Sequence, residues 1–132
     1  MLFTTKTEYG LKSLVKLAKK SSHEPLSLAC IAKEEKLSKI YLEQLFKKLH
    51  DRKIVKSTKG ASGGYILARP ATRINLLEII EALEGPLAVS YCFGDKAELA
   101  CSCRGCLTKK VWDKVQKNLT QTLKSVKLSD LI

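Results

Sequence analysis

Apolar residues recur at helical spacing along most of this chain. Leu42, Leu45, Phe46 and Leu49 stand at i, i+3, i+4 and i+7, one stripe of an amphipathic helix that Ser38 can cap. Pointing away from the stripe are Ile40, Glu43, Gln44, Lys47 and Lys48, a polar, basic face with one exposed branched aliphatic residue. Upstream, Thr5-Lys6-Thr7-Glu8 fits a capping box and predicts a first helix that buries Leu11, Leu14, Val15 and Ala18. Ser21-Ser22-His23-Glu24-Pro25 closes that helix. Ser27 then caps a short helix with Leu28, Ile31 and Ala32 on one side, and Lys36-Leu37-Ser38 makes a tight turn. Downstream, two short β-type runs over 54–58 and 65–68 flank Lys59-Gly60-Ala61-Ser62-Gly63-Gly64, the pattern of a hairpin with a glycine-rich tip.

Asn75 caps an acidic helix that Gly85-Pro86 stops. Residues 87–105 show no periodicity, a length of loop that usually has a functional reason. In the last helix, from about 107 towards 126, Trp112, Val115, Leu119, Thr122 and Val126 step by 3, 4, 3, 4, with Val111 and Leu123 widening the seam. So broad an apolar face leaves too little domain to cover it, which predicts a dimerisation helix. The pattern predicts a mainly α fold: a winged helix–turn–helix with a two-stranded wing over 1–85, a cysteine-bearing loop over 86–106, and a dimerisation helix and tail over 107–132.

Charge sharpens this picture. The 132 residues carry a formal +11, distributed as +9 over 1–70, −3 over 71–100 and +5 over 101–132. A basic N-terminal half implies a polyanionic partner, because each phosphate neutralised releases counterions. No apolar run approaches bilayer length, and Met-Leu-Phe-Thr-Thr lacks the regions of a signal peptide. The expectation is a cytoplasmic protein with no membrane partner, in a compartment where thiols stay reduced.

The candidate DNA-facing residues are Ser38, Ile40, Tyr41, Glu43, Gln44, Lys47 and Lys48 on the helix, with Lys59, Ser62, Gly63, Gly64 and Tyr65 on the hairpin. Gln44 can pair bidentately with adenine, Glu43 can accept from cytosine, and Ile40 can pack on a thymine methyl group. Tyr41, Lys47 and Lys48 suit phosphates. Lys59 can enter a narrow minor groove, and Gly63-Gly64 permits positive φ and close backbone approach. Without the hairpin the same helix would be an ordinary solvated surface, with Glu43 and Lys47 as an i, i+4 pair.

Cys92, Cys101, Cys103 and Cys106 put four thiols within fifteen residues, enough for a tetrahedral zinc site or an iron–sulfur cluster. Spacing alone leaves both open, along with a set of inert buried thiols. Cys30, in the short second helix, fits a small core residue. No catalytic constellation appears around His23 or His50, and the glycines of the hairpin lack the βαβ setting of a nucleotide site. A thiol-redox enzyme using Cys103-x-x-Cys106 would need a thioredoxin-like context that the pattern does not supply.

With these residues assembled, the whole chain resembles the winged-helix bacterial regulators of the IscR/NsrR type. The most specific part is Gly60-Ala61-Ser62-Gly63-Gly64-Tyr65-Ile66-Leu67-Ala68-Arg69-Pro70, followed by the helix over 74–85 and Cys106-Leu107-Thr108…Trp112…Leu128…Leu131. The resemblance implies a homodimeric transcription regulator, a repressor or activator, on double-stranded DNA with a pseudo-palindromic operator. It also implies an iron–sulfur cluster whose state alters DNA binding, 2Fe–2S ahead of 4Fe–4S, with zinc as the alternative metal. Cys92 and Cys106 match the family's outer cysteines, and the middle ligand is Cys101 or Cys103. Where some members have a ligating histidine this chain has Lys109, which cannot serve, so the fourth ligand is the extra cysteine or Glu8 from the partner subunit. Other relatives carry no cluster and sense metabolites or partner enzymes, the alternative in which this chain is a sensor without iron and sulfur.

Overall fold

The computed structural model describes residues 3–20, 24–60, 63–90 and 106–132. Helices α1 (Thr5–Lys19), α2 (Leu28–Glu35) and α3 (Lys39–Asp51) are followed by strands β1 (Val55–Thr58) and β2 (Gly64–Leu67), then α4 (Leu76–Glu84) and α5 (Lys109–Ser125). Short 3₁₀ turns occupy Ala71–Arg73 and Leu128–Leu131. This is the mainly α winged helix–turn–helix expected from the periodicity, with a two-strand hairpin wing and a long C-terminal helix.

Local chemistry explains most boundaries. The Ser27 hydroxyl accepts from the Cys30 amide at 3.2 Å, and the Ser38 hydroxyl from the Tyr41 amide at 3.3 Å. Between them Lys36 turns through the left-handed region at φ 55°, closed by a bond from the Leu37 amide to the Ala32 carbonyl at 2.9 Å.

The start of α1 corrects the sequence reading. Thr4, not Thr5, is the cap, with its hydroxyl accepting from the Lys6 amide at 3.2 Å. Glu8 caps nothing and faces solvent, 3.4 Å from Lys12. The cause is tertiary: the Thr4 amide donates to Glu84 at 2.7 Å and its hydroxyl donates to the same carboxylate, drawing the helix start one residue back. A complete capping box forms instead on α4. There the Glu78 amide donates to Asn75 Oδ1 at 2.9 Å, and the Asn75 amide to Glu78 Oε2 at 3.1 Å. The buried stripe of α1 is also rotated from the expected one. Leu14 and Leu17 lie in the core, whereas Leu11, Val15 and Ala18 are half-buried at its flank.

Two apolar clusters hold the molecule together. The larger joins Leu14, Ile31, Leu42, Phe46, Leu49, Ile54, Ile74, Ile79 and Leu83, and takes in Leu128 from the C-terminal tail. The tail reaches it through bonds from the Leu76 amide to the Val126 carbonyl, 2.9 Å, and from the Leu128 amide to the Ile74 carbonyl, 2.8 Å. The smaller cluster is Leu77, Ile80, Leu87 and Leu123, with Leu119 beside it. The apolar seam of α5 is therefore divided. Leu119 and Leu123 pack on α4 of the same chain, while Val111, Trp112 and Val115 are 58%, 39% and 39% exposed.

Candidate nucleic-acid interface

The buried stripe of α3 fixes which way its other side chains point. With Leu42, Leu45, Phe46 and Leu49 all in the core, Ile40, Glu43, Gln44 and Lys47 are left in solvent, Ile40 at 69% exposure. This uncovered branched aliphatic side chain shares its face with the carboxamide of Gln44 and the ammonium of Lys47. Lys48 is exposed but committed elsewhere. Its ammonium donates to the Leu83 carbonyl at 3.3 Å, at the C-terminal end of α4, where a cation suits the helix dipole. Tyr41 is half-buried, its ring edge-on to Tyr9 at 6.3 Å.

The wing follows immediately. β1 and β2 pair antiparallel, Val55 opposite Leu67 and Thr58 opposite Gly64. Thr58 Oγ1 accepts from the Gly64 amide at 3.0 Å, tying the base of the tip. The positive φ expected at Gly63-Gly64 is found at Gly60, at 112°. Gly63 and Gly64 are instead required by close approach: a Cβ on Gly63 would lie 2.8 Å from the Thr58 and Gly60 carbonyl oxygens, and one on Gly64 would lie 2.5 Å from the Leu26 oxygen. Leu26 adds a third edge to the hairpin, exchanging two 3.0 Å bonds with Tyr65. The Tyr65 ring packs 5.0 Å from that of Phe46, so this tyrosine pins the wing to α3. Lys59 is exposed at the tip, and Ser62 lies outside the described residues.

Sequence reasoning missed two sets of contacts that tie the wing to the rest of the chain. The Leu26–Tyr65 bridge had one faint signal, Pro25, which starts an extended segment. Arg69 had none. Its Nε donates to the Lys53 carbonyl at 3.3 Å and its Nη1 to the Arg73 carbonyl at 3.1 Å and Glu78 Oε1 at 3.2 Å.

Of the four candidate metal-ligating cysteines, Cys92, Cys101 and Cys103 lie outside the described residues. Cys106 is described, half-buried just ahead of α5. A 3.0 Å hydrogen bond with the Thr108 hydroxyl, then the amides of Thr108 and Lys109, hold its thiol below the ordinary value. A cysteine sulfur whose proton is held less tightly than usual is a suitable soft donor, so this residue fits a metal or cluster. Among the described residues no group of three or more metal-ligating side chains converges. The upstream end of the segment is strapped to α5 by Gln116, which donates to the Leu87 carbonyl at 2.8 Å and accepts from the Val89 amide at 3.0 Å. Cys30 is half-buried, its sulfur 3.6 Å from Glu34. Lys109 is exposed at the first turn of α5.

Comparisons with known proteins agree with this geometry. A sequence profile of Rrf2, described as an iron-dependent transcriptional regulator, matches residues 3–132. The HTH-type transcriptional regulator IscR of Cereibacter sphaeroides is 38% identical over 135 residues, covering 100% of this chain and 87% of that protein. The HTH-type transcriptional regulator CymR of Bacillus subtilis is 35% identical, covering 99% and 89%. Among solved structures, CymR, the global cysteine regulator of B. subtilis, superposes with a TM-score of 0.81 at 34% identity, covering 99% of this chain and 95% of that one. IscR of T. potens superposes with a TM-score of 0.78 at 37% identity, covering 99% and 85%.

Proposed function

Because this chain belongs to the Rrf2 family of transcriptional regulators, we propose that it binds a pseudo-palindromic operator as a homodimer, under the control of an iron–sulfur cluster on its loop cysteines. It is a DNA-binding regulator and not an enzyme. Among the described residues no helix is long and apolar enough to cross a membrane, and the reading takes the protein to act in the cytoplasm.

One observation carries the DNA reading. Ile40, Glu43, Gln44 and Lys47 are uncovered on a helix whose opposite face is wholly core, beside a basic hairpin pinned to it by Tyr65. In this reading α3 enters the major groove, with Gln44, Glu43 and Ile40 at base edges and Lys47 at a phosphate. Lys59 and the backbone around Gly63 and Gly64 lie along the minor groove. Ser38 holds the first turn of α3 in register, its cap leaving the start of the helix free to approach phosphate. Val111, Trp112 and Val115 of each copy supply the dimer contact.

The donor set supports the cluster reading, with Cys92, Cys106 and one of Cys101 or Cys103 as the principal ligands and the remaining cysteine or the partner's Glu8 as the fourth. Glu8 is not occupied in helix capping and is exposed. Such a cluster, 2Fe–2S ahead of 4Fe–4S, would supply chemistry sensitive to iron, oxygen, nitric oxide or cluster supply. The chain's own part is to present the Cys106 sulfur at the head of α5 and to hold the segment around Leu87 and Val89 through Gln116.

The test is fluorescence anisotropy on duplex DNA at several salt concentrations, with iron, sulfide and zinc assayed on anaerobically purified protein. Gln44→Ala is expected to relax preference at one base pair, a loss of about 1–3 kcal/mol of discrimination. Lys59→Ala weakens cognate and scrambled duplexes alike. Equal effects of the two variants on both duplexes overturn the DNA assignment. Stoichiometric zinc without sulfide replaces the cluster with a zinc staple, and no metal at all leaves a sensor of another kind.

A further inference from the structure

Arg69 stands where β2 leaves the wing, and its guanidinium gathers acceptors from three parts of the chain. Nε donates to the carbonyl of Lys53 at 3.3 Å, and Nη1 donates to the carbonyl of Arg73 at 3.1 Å and the carboxylate of Glu78 at 3.2 Å. Lys53, at φ 58°, is the left-handed residue that turns the chain from the end of α3 into β1. Arg73 closes the 3₁₀ turn after the wing, and Glu78 belongs to the capping box of α4. One planar cation therefore joins the exit of the recognition helix, the root of the wing and the start of α4.

We propose that Arg69 is a positioning residue for DNA binding: it sets the angle between the wing and α3, and makes no phosphate contact itself. A two-stranded hairpin of four residues a side has little rigidity of its own. Its inner side is seated on the core through Val55, Tyr65 and Leu67, and its edge pairs with Leu26, while its root is held separately. At its root, the turn that feeds β1 and the strand that leaves β2 are tied across by the Ala68 amide, 2.9 Å from the Ile54 carbonyl, and by Arg69. The guanidinium suits this task because its fork has fixed directions and keeps its charge, whereas a lysine ammonium could satisfy the acceptors only one geometry at a time. A root that rocks moves Lys59 at the tip relative to Gln44 on α3, and both halves must meet one duplex together.

Glu78→Gln separates positioning from phosphate contact, because the two roles give opposite signs. The variant keeps the charge of Arg69, and its single carboxamide oxygen can stay on the Asn75 amide, while Arg69 Nη1 loses both the charge and the acceptor oxygen it had on Glu78. If Arg69 positions the wing, affinity for duplex DNA falls about 2- to 150-fold, the span expected when coupled contacts are broken. If Arg69 is a phosphate contact restrained by Glu78, releasing it and removing a negative charge raises affinity. Arg69→Lys gives a second arm, with a similar fall for a positioning residue and near wild-type binding for a simple cationic contact. In the DNA-free protein, amide exchange over 64–68 should quicken in Glu78→Gln while that of α1 stays unchanged. Unaltered or tighter DNA binding by Glu78→Gln, wild-type binding by Arg69→Lys, or unchanged exchange over 64–68 each overturns the proposal.

Discussion

Gly64→Ala probes how firmly the wing is seated. The new Cβ would lie 2.5 Å from the Leu26 oxygen, 2.6 Å from its carbonyl carbon and 2.9 Å from the Ser27 nitrogen. Non-bonded carbon contacts settle at about 3.5 Å, so β2 must retreat from Leu26 by about 1 Å. That distance takes a 3.0 Å hydrogen bond out of range, and the two that Leu26 and Tyr65 exchange are lost together. At about 1 kcal/mol for each bond, with about 1–2 kcal/mol for the strain that remains after relaxation, the expected destabilisation is about 3–4 kcal/mol. Urea unfolding should show a lower midpoint at an unchanged slope. Anisotropy should show weaker binding to cognate and scrambled duplexes alike, because the displaced strand carries the wing tip with it. Gly60→Ala is the control: its Cβ meets nothing within 4 Å, but φ 112° costs about 1–3 kcal/mol locally without disturbing Leu26. A Gly64→Ala protein with the wild-type midpoint and protected Leu26 and Tyr65 amides would refute this reasoning.

Three further outcomes follow from the same contacts. Leu128→Ala, at a side chain 1% exposed in the main core, should cost about 2–5 kcal/mol in urea unfolding although it lies in the C-terminal tail. Partial burial pushes the Glu84 carboxyl up, but the hydrogen bonds from the Thr4 hydroxyl and amide, with help from Thr7 and Lys6, more than reverse this and leave it below the ordinary 4.5. Its contribution is therefore present above that value and lost as pH falls through the lower folded one, and the stability gap between wild type and Glu84→Gln should close across that acidic window. Gln116→Ala should speed exchange of the Val89 amide. Gln116→Glu, which can accept from Val89 but cannot donate to Leu87, should restore only part of the protection, and equal exchange in all three proteins would show that the strap holds nothing.

The two halves of the proposed DNA-reading face were legible for a simple reason: both are local. Helical periodicity at Leu42, Leu45, Phe46 and Leu49 exposes Ile40, Glu43, Gln44 and Lys47 whatever the helix packs against. Ser27, Ser38 and Asn75 cap their own next turn, and a glycine-rich stretch between β-branched runs makes a hairpin. The cysteine spacing is likewise visible in the chain, although among these four residues only Cys106 is described.

What the tertiary structure alone decided is the choice of partner. Periodicity reports that a face is buried but not against what, because the pairing energy depends on residues far away in sequence. The competing cap at Thr4 won through Glu84, eighty residues on. Lys48 read as a cation free for phosphate until the Leu83 carbonyl came within reach, and nothing in the chain foretold the acceptors that Arg69 gathers. The even seam of α5 gave no sign that Leu119 and Leu123 would pack on α4 while Val111, Trp112 and Val115 stayed uncovered. The chain's own pattern settles which elements form and which side chains they offer to solvent. Long-range packing settles how the wing is angled and which of the cations remain free, since those follow from contacts that no local window contains.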